Sequence, residues 1–409
     1  MKYRTMAAAL AASIALPASA TELEVTHWWT SGGEAAAVAQ FAAAFEASGH
    51  TWVDGAIAGG SGAAVPVIVS RIIGGDPMGA TQMNTGRDAE ELIEAGLMLD
   101  LSSVAEAEGW ADFIHPTSLL DTCIYEGKIY CVPVNIHSWQ WIWLSHKAYE
   151  DAGVPVPNNW AEFVAAAPAL EANGTIPLAM GQQSWQSNGA FGVLSVALGG
   201  LDWWNAVNVE RDMDAVNSDT SKSIWEAFAA ARELSAGSNV SDWNQATNMV
   251  ITGKAGGQIM GDWAQGEFQV ANQVAGEDYT CLPGLGANEV ISTGGDAFYF
   301  PVNDDPAVTA AQLELAALLV SKEVQVSFNL AKGSLPIRGD IDMSTANDCM
   351  RKGLEILAAG NILPDGNQLW APDDQTAFDE LAVEFWNDQS ITAEEGHARW
   401  ASIIENAAE

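Results

Sequence analysis

The chain has 409 residues, of which 48% are hydrophobic, so it is long enough to bury the cores of about two domains. Lysine and arginine number 16 against 53 aspartates and glutamates, which gives a formal net charge of −37 at pH 7. A surface of this charge repels nucleic acid and anionic lipid headgroups, so neither is expected as a partner.

The first twenty residues, "MKYRTMAAALAASIALPASA", have the features of a secretory signal peptide. Lys2 and Arg4 form a positive start, an apolar stretch follows, and small residues ending at Ala20 form a cleavage site. Cleavage after Ala20 leaves Thr21 as the first mature residue. No later apolar run is long enough for a transmembrane helix, so we expect a soluble protein exported to the periplasm.

Strand and helix patterns alternate along the first part of the mature chain. The stretch "ELEVTH" predicts a strand, "EAAAVAQFAAAFEAS" a helix that ends at Gly49, and "TWVDGAIAG" a second strand. The glycine-rich "GGSGAAV" and a helix in "VPVIVSRIIGG" follow, then a strand and loop in "MGATQMNTG" and a helix in "AEELIEAG". This alternation predicts an α/β fold with crossover helices.

The second part of the chain changes character more than once. The stretch "TCIYEGKIYCVPV" predicts a hairpin that turns around Gly127. The tryptophans from Trp139 to Trp143 then alternate as in a strand with one aromatic face, and residues 160–280 are dominated by helical patterns. Strand character returns in "VISTGGDAFYFPVN", followed by the helical "AAQLELAALLVSKEVQVSFN". The chain is therefore expected to cross between two lobes more than once.

An even number of cysteines in an exported chain indicates disulfides. The four cysteines are Cys123, Cys131, Cys281 and Cys349. The predicted hairpin places Cys123 opposite Cys131, which would leave Cys281 to pair with Cys349, although the sequence alone allows three connectivities. The chain has no CxxC motif and its six histidines are scattered, so no metal is expected.

Several motifs occur together in an order that is more specific than any one of them. They are "HWWTSGGE", "GGDPMGATQ", "YCVPVNIHSWQWIWL", "GQQSWQ", "GKAGGQIMGDWAQGE", "TGGDAFYFP" and "KGSLPIR". Through these motifs the chain resembles the periplasmic sugar-binding proteins of ABC importers, in the extracellular solute-binding family that includes glucose- and mannose-binding members. The resemblance implies two α/β lobes joined by a multi-stranded hinge, a sugar ligand in the cleft between them, no cofactor, an ABC permease as partner and a monomeric state.

The resemblance and the element pattern together divide the chain into segments. They are the signal peptide 1–20, the first part of lobe 1 at 21–134, most of lobe 2 at 135–290, a return to lobe 1 and the hinge at 291–335, and C-terminal helices mostly of lobe 2 at 336–409.

The stretch "HWWTSGGE" is the first candidate part of a sugar site. Trp28 and Trp29 follow the first strand, where ligands of α/β sheets bind, and an indole face can stack on a pyranose. Adjacent strand residues face opposite ways, so one indole packs inward, and we expect Trp29 to stack. Glu34 can accept hydrogen bonds from vicinal hydroxyls. Ser31 and Glu34 also match a capping box, in which Glu34 only bonds the Ser31 N–H, but the resemblance favours sugar binding.

The resemblance assigns further contacts, with one departure. Gln82 matches a polar contact of the family, whereas Asn84 stands where the family has Lys or His. Trp263 would form a second aromatic wall from the opposite lobe; the alternative is a buried anchor between helices. Asp296 would bind hydroxyls as a second carboxylate; the alternative is a turn residue beside Gly295.

The resemblance also assigns contacts in the last part of the chain. Lys332 would donate to sugar oxygens and separate two carboxylates, Glu34 and Asp296; the alternative is a solvated lysine at a helix end. Trp370 stands where the family has a histidine, a second departure, and would narrow the pocket or stack on a second ring. Further residues expected along the cleft are Asn135, His137, Gln183 and Trp185, with His137 alternatively a satisfied hinge residue.

A secreted glycoside hydrolase would also combine tryptophan walls with two carboxylates, here Glu34 and Asp296. Such an enzyme needs one carboxyl group whose pKa is raised in an apolar niche, whereas Lys332 acts to lower nearby carboxyl pKa values. A lectin-like adhesion module predicts repeats or all-β spacing, and neither is present in the sequence. The sequence therefore favours a non-enzymatic transport protein that closes about a hinge on its sugar.

Overall fold

The computed structural model describes residues 20–363 and 369–407. Residues 1–19 of the predicted signal peptide lie outside the described residues, so the cleavage site stays a prediction. The strands are β1 (Glu22–His27), β2 (Thr51–Ala56), β3 (Ala80–Asn84), β4 (Ile124–Tyr125), β5 (Lys128–Ile129), β6 (Cys131–Pro133), β7 (Trp141–Ser145), β8 (Ile176–Leu178), β9 (Ala255–Ile259), β10 (Tyr279–Pro283), β11 (Ile291–Ser292), β12 (Asp296–Tyr299) and β13 (Ile362–Leu363).

Helices lie between these strands and make up most of the C-terminal part of the chain. They are α1 (Gly32–Ala47), α2 (Ser61–Ile73), α3 (Glu90–Glu94), α4 (Ser102–Glu108), α5 (Trp110–Phe113), α6 (Ser118–Asp121), α7 (His146–Ala152), α8 (Trp160–Ala172), α9 (Ser184–Asn208), α10 (Met213–Val216), α11 (Asp219–Leu234), α12 (Trp243–Ile251), α13 (Ala264–Val270), α14 (Pro306–Leu319), α15 (Lys322–Lys332), α16 (Asp348–Ala359), α17 (Pro372–Asn387) and α18 (Ala393–Asn406). Within the described ranges, none of them has both the length and the apolarity needed to cross a membrane.

Two sheets define two lobes. Lobe 1 contains the five-stranded sheet with the order β2-β1-β3-β12-β6, and lobe 2 contains the four-stranded sheet with the order β10-β7-β9-β8. In lobe 1, β1 is parallel to β2 and β3, whereas β12 is antiparallel to β3 and β6. Helices α14 and α15 pack with α1 on lobe 1, and α17 and α18 pack with α9 and α11 on lobe 2. The predicted two-lobe α/β fold is confirmed.

The chain passes between the lobes in three segments of the described residues. The first is 134–140, between β6 and β7, and the second is 284–295, between β10 and β12. The third is 333–347, between α15 and α16. Each lobe is therefore built from separate parts of the chain.

The three crossing segments are hydrogen-bonded to one another as a hinge. Ile136 and Leu335 exchange two backbone hydrogen bonds of 2.8 and 3.0 Å. The His137 N–H donates to the Gly294 carbonyl at 3.0 Å. Because these bonds lie between segments and outside either main sheet, the lobes are joined by a narrow band of backbone.

The helical character predicted for residues 160–280 is confirmed, and this range also contains β8 and β9 of the lobe 2 sheet. One prediction about local structure needs correction. Trp139 is not part of a strand with Trp141, because β7 begins at Trp141. The N–H groups of Trp139 and Gln140 donate to serine hydroxyls, those of Ser292 and Ser138, instead of to a neighbouring strand. This irregular backbone turns the Trp139 side chain out of the strand pattern.

Both expected disulfides are present. Cys123 and Cys131 flank the hairpin of β4 and β5, with their Cα atoms 5.0 Å apart. Cys281 in β10 is bonded to Cys349 in α16, with a Cα separation of 6.0 Å. The second bond fixes α16 to the lobe 2 sheet after the chain has returned from lobe 1.

Removing the Cys281–Cys349 bond is expected to destabilise the protein more than removing Cys123–Cys131. The sequence separations are 68 and 8 residues, and a disulfide restricts the unfolded chain more when its loop is longer. The double variant C281S/C349S should lose about 4 kcal/mol of unfolding free energy and C123S/C131S about 2.5 kcal/mol. Chemical unfolding of both variants beside the wild type measures this order, and the reverse order would contradict it.

Candidate functional site

A cleft of about 610 Å³ lies between the two lobes, next to the hinge. Lobe 1 contributes the loop that joins β1 to α1 and the turn before α2, and lobe 2 contributes the N-terminal ends of α9 and α12. The predicted site residues that line this cleft are Trp28, Trp29, Glu34, Asn84, His137, Gln183, Trp185, Trp263, Asp296 and Lys332. Gln82, Asn135 and Trp370 are not among the lining residues.

Asp296, the first residue of β12, is the most enclosed carboxylate of the cleft, with 2% of its surface exposed. The Gln82 amide donates to its Oδ1 at 2.7 Å and the Asn135 amide to its Oδ2 at 2.9 Å, while His137 Nδ1 lies 3.2 Å from the same Oδ2. A buried carboxylate is stable only when donors replace its lost water. Gln82 and Asn135 therefore lie behind Asp296 and hold it, whereas the sequence predicted that they line the cleft.

Lys332 places an ammonium between the two carboxylates. Its Nζ lies 3.9 Å from Asp296 Oδ2 and 4.0 Å from Glu34 Oε1, and 5.1 Å from the centre of the Trp29 ring. The side chain is 2% exposed, so it is not the solvated lysine of the alternative hypothesis. Nζ donates no hydrogen bond to any of the described residues, so its N–H donors are available to a ligand.

The end of α15 fixes the position of Lys332. Gly333 follows it directly and has a φ of +89°, the left-handed conformation in which helices commonly end. A Cβ at Gly333 would lie 2.6 Å from the Cβ of Gln265. The chain therefore needs glycine here both for its conformation and for the close approach of lobe 2.

The charged groups shift one another's pKa values in different directions. Burial alone would raise the pKa of Asp296, but His137, Lys332 and the hydrogen-bond donors outweigh it and hold that pKa well below its ordinary value. Burial raises the pKa of Glu34, although Lys332 opposes the rise. For His137, burial would lower the pKa, but the charge of Asp296 raises it. Asp296 is thus the fixed negative charge of the site.

Glu34 forms the capping box and also lines the cleft, so the capping role that the sequence offered as an alternative does not remove it from the site. The Ser31 hydroxyl accepts from the Glu34 N–H at 3.3 Å, and Glu34 Oε2 accepts from the backbone N–H groups of Ser31 and Thr30 at 3.3 and 3.2 Å. The capping box is therefore formed. The other oxygen, Oε1, is directed towards Lys332, and the residue lines the cleft. One oxygen caps α1 while the other stays in the charged cluster.

The two tryptophans of "HWWTSGGE" are exchanged relative to the prediction. Trp29 is 1% exposed and packs against Phe41, Phe298 and Phe328, with ring centres 5.4 to 6.2 Å away. The Trp29 ring is therefore mostly turned into the core of lobe 1, whereas the sequence predicted that it faces the ligand. Trp28 points the opposite way, is only partly buried and lines the cleft.

Three further indoles form an aromatic wall, which we define as Trp139, Trp185 and Trp263. The ring of Trp263 is edge-on to those of His137 and Trp139, with centre separations of 5.3 and 4.9 Å. Trp139 is in turn edge-on to Trp185 at 5.3 Å. The sequence did not place Trp139 in the site, because its spacing from Trp141 suggested an ordinary strand position.

Trp370 lies away from the cleft, contrary to the prediction. Its ring packs edge-on against Phe378 at 4.9 Å, the Arg211 guanidinium lies 4.8 Å from its centre, and its Nε1 donates to Asn208 at 3.4 Å. These partners belong to lobe 2 and bury the indole. The correspondence with the family's histidine therefore does not carry over to a position on the cleft wall.

Sequence reasoning missed several polar residues of the cleft. They include Thr30, Gln140, Asn188, Asp242, Gln375 and Asp379. Asp242 carried a local signal, because Asp242 and Gln245 form a capping box at the start of α12. Asn188 and Asp379 carried none, because only the packing of α9 with α17 brings them together.

The lobes meet at a pair of glycines beside Glu34. A Cβ on Gly33 would lie 2.5 Å from the carbonyl carbon of Gly266, far inside contact distance. The Gly33 N–H also donates to Glu267 Oε1 at 2.6 Å. Gly33 is in α1 on lobe 1, and α13 follows β9 of lobe 2, so this contact joins the lobes at the start of the helix that carries Glu34.

Asp262, which precedes Trp263, is a buried carboxyl group behind the wall. Its Oδ2 accepts from the Ser138 N–H at 2.9 Å, and its Oδ1 has no hydrogen-bond partner among the described residues. Burial raises the pKa of Asp262 to about 7, although His137 opposes the rise. The lobe 2 side of the hinge thus contains a carboxyl group that is poorly suited to carry its charge.

Comparison with known proteins gives one family. Residues 29–326 match the model of the bacterial extracellular solute-binding proteins. A probable sugar-binding periplasmic protein of Brucella melitensis is 37% identical over 364 residues, 87% of this chain and 85% of that protein. A probable sugar-binding periplasmic protein of Mesorhizobium japonicum is 34% identical over 98% of both chains. The xylose/arabinose-binding protein XacG of Haloferax volcanii is 24% identical over 84% of this chain and 75% of that protein.

Solved structures show the same fold at low sequence identity. A chitin oligosaccharide binding protein superposes with a TM-score of 0.74 at 17% identity, covering 95% of this chain and 99% of that one. The maltose-bound MalE3 of T. maritima gives a TM-score of 0.73 at 16% identity, covering 94% and 99%.

Asp262→Asn should remove a loss of stability that the wild type shows as pH rises. The pKa of Asp262 is higher in the folded chain than the ordinary value near 4, so the folded state binds the proton more tightly and is weakened as the group ionises. Between pH 4.5 and 7.5 the wild type should lose about 3 kcal/mol relative to Asp262→Asn. Unfolding curves at both pH values measure it.

Asp304→Asn is the control, because Asp304 is exposed. The unfolding free energy of this variant should change with pH as that of the wild type does. A constant difference between wild type and Asp262→Asn across this pH range would show that the carboxyl group ionises normally.

Proposed function

The chain belongs to the bacterial extracellular solute-binding proteins, and we propose that it captures a sugar in the interlobe cleft and delivers it to the permease of an ABC importer. The observation that carries the proposal is one cleft that combines aromatic faces with two carboxylates and an ammonium that donates no hydrogen bond to any described residue. Indole faces stack on the C–H face of a pyranose, carboxylates accept from hydroxyls, and Lys332 donates to them.

The names of the relatives support a sugar as the ligand class. The Brucella and Mesorhizobium proteins are described as sugar-binding and periplasmic, and the Haloferax protein as xylose/arabinose-binding. A periplasmic location also agrees with the predicted signal peptide. The protein would act there as a monomer that docks on the membrane permease.

The glycoside hydrolase alternative has no support from the comparisons, because the matched family consists of solute-binding proteins. The geometry also works against Asp296 as a nucleophile. Both of its oxygens already accept hydrogen bonds, from Gln82 and from Asn135, and it is almost fully enclosed. The two carboxylates are better suited to hold hydroxyl groups than to attack a sugar carbon.

Binding would proceed by closure about the hinge. Trp28, Glu34 and Asp296 belong to lobe 1, whereas Trp185 and Trp263 belong to lobe 2. A sugar that contacts both sets has more interactions in the closed state than in the open one. It therefore shifts the population towards closure by that difference in affinity.

Isothermal titration of the mature protein against a sugar panel tests the proposal. The panel contains glucose, mannose, galactose, xylose, disaccharides and glucosylated polyols, and the cell contents are analysed afterwards for cleaved product. Saturable binding of an intact sugar is the expected result. Absence of binding across the panel, or continuing heat with cleaved sugar, would overturn it.

Glu34→Gln separates the capping role of this residue from its binding role. Glutamine can keep the capping box, so the fold should be retained, but it replaces a charge-assisted hydrogen bond to the sugar by a neutral one. Sugar affinity should fall about tenfold, which corresponds to about 1.4 kcal/mol. Titration measures the affinity, and the thermal midpoint is the control for folding. Unchanged affinity would leave Glu34 with the capping role alone.

Gly33→Ala should weaken sugar binding far more than the adjacent Gly32→Ala. A Cβ at Gly33 would collide with the Gly266 backbone at 2.5 Å, whereas a Cβ at Gly32 would meet Glu267 and Val270 side chains at an ordinary 3.7 Å. The first variant should hold the lobes apart and reduce affinity at least tenfold. Small-angle scattering with and without sugar reports closure directly. Equal behaviour of the two alanine variants would show that the glycine pair does not control closure.

A further inference from the structure

The cleft extends beyond the charged cluster of Glu34, Asp296 and Lys332, along a continuous series of side-chain contacts. His137, which lies against Asp296, is followed by Trp263 and then by Trp139 at ring-centre separations of 5.3 and 4.9 Å. Trp139 packs closely against α9, because a Cβ on Gly189 would be 2.4 Å from its ring. The aromatic wall therefore leads from the charged cluster to the face of α9.

Asp379 lies at the far end of this series. It is on α17, lines the cleft and is half-buried. Its Oδ1 accepts hydrogen bonds from the side-chain amides of Asn188 on α9 and Gln375 on α17, the latter at 2.9 Å. Among the described residues nothing donates to its Oδ2. The two amides thus orient a carboxylate that keeps one oxygen for a further donor.

A second polar side chain in the cleft also has an oxygen atom that accepts no hydrogen bond from the described residues. Gln140 follows Trp139 in the hinge, lines the cleft and is 5% exposed. Its Oε1 has no hydrogen-bond partner among the described residues. A buried polar atom without a partner is costly, so this acceptor is suited to a ligand hydroxyl. The unpaired Oε1 of Gln140 is an observation separate from the hydrogen bonds of Asp379.

There is also space at this end of the cleft. Gly192, one turn along α9 from Asn188, lines the cleft, and a Cβ placed on it would meet nothing within 4 Å. A larger side chain there would project into the opening. Because glycine has no side chain, this position leaves room for a group attached to the sugar that the charged cluster would hold.

We propose that Asp379, Asn188 and Gln375, together with Trp139 and Gln140, form an outer subsite for a second hydroxyl-bearing unit joined to the first sugar ring. The inference rests on the proposed function and narrows its ligand to a disaccharide or a hexose linked to a polyol. The ligand is neutral, because Asp242 and Asp379 line the cleft in addition to Glu34 and Asp296, and Lys332 is the one Lys or Arg among the described lining residues. Sugar phosphates and uronic acids would be repelled.

Paired titrations test the outer subsite. Each hexose is compared, as its methyl glycoside, with a disaccharide and a hexosyl glycerol that carry the same ring. At least one two-unit ligand should bind tenfold or more tightly than its methyl glycoside, and which of the two does so distinguishes a ring from an open polyol in the subsite. Methyl glycosides that bind as tightly as every two-unit ligand would overturn the inference while leaving the proposed function standing.

Substitutions locate the effect. Asp379→Asn and Gly192→Leu should both bring the ratio of two-unit to one-unit affinity close to one, the first by removing the charge and the second by filling the space. Asp373→Asn is the matched control, because it makes the same change at an exposed position on the same helix, and it should keep the wild-type ratio. Equal ratios for Asp379→Asn and Asp373→Asn would also overturn the inference. If no carbohydrate binds at all, the proposed function fails and this inference fails with it.

Discussion

The enclosure of Asp296 is the constraint on which the site depends. An ionised carboxylate at the end of a central strand costs several kcal/mol unless donors and an opposite charge replace its water. Gln82 from β3 and Asn135 from the hinge supply the donors, and Lys332 at the end of α15 supplies the charge. Three separate parts of lobe 1 and the hinge are therefore held in register by one side chain, and the same side chain lines the cleft.

The strong negative charge of the protein and the composition of its cleft act on different scales. The net charge of −37 is carried by the surface and leaves a neutral sugar neither attracted nor repelled at a distance. Within the cleft, by contrast, Lys332 lies about 4 Å from two carboxylates, where solvent screens little. The specificity of the site is thus set by short contacts, and the surface charge chiefly excludes anions.

Sequence predicted most of the architecture because periodicity and turn chemistry are local. The alternation of strand and helix predicted α/β sheets, and the hairpin around Gly127 favoured the disulfide pairing that the structure has. The division into two lobes was implied by the family resemblance. The cleft residues beside recognisable turns, such as Glu34 and Lys332, were also placed together correctly. What failed was the direction of side chains: periodicity says that Trp28 and Trp29 point opposite ways but not which of them faces the phenylalanines of α1 and α15.

Contacts between distant segments could not be predicted from the sequence, because periodicity and turn chemistry describe only local structure. Trp370 has the bulk of a stacking residue, and only the packing of Phe378 against it shows that it is buried. Asp379 enters the cleft solely because α17 packs on α9. The spacing of residues along the chain does not predict these contacts, because they depend on how the helices of lobe 2 pack together.

The Cys281–Cys349 bond also has a consequence for the integrity of the chain. Two of the three hinge segments, and the whole return of the chain into lobe 1, lie between these cysteines. A protease that cuts once at any exposed bond in that interval, for example in the loop before α14, leaves the two fragments covalently joined. The nicked protein keeps all of its parts in one molecule until a reductant opens the bond.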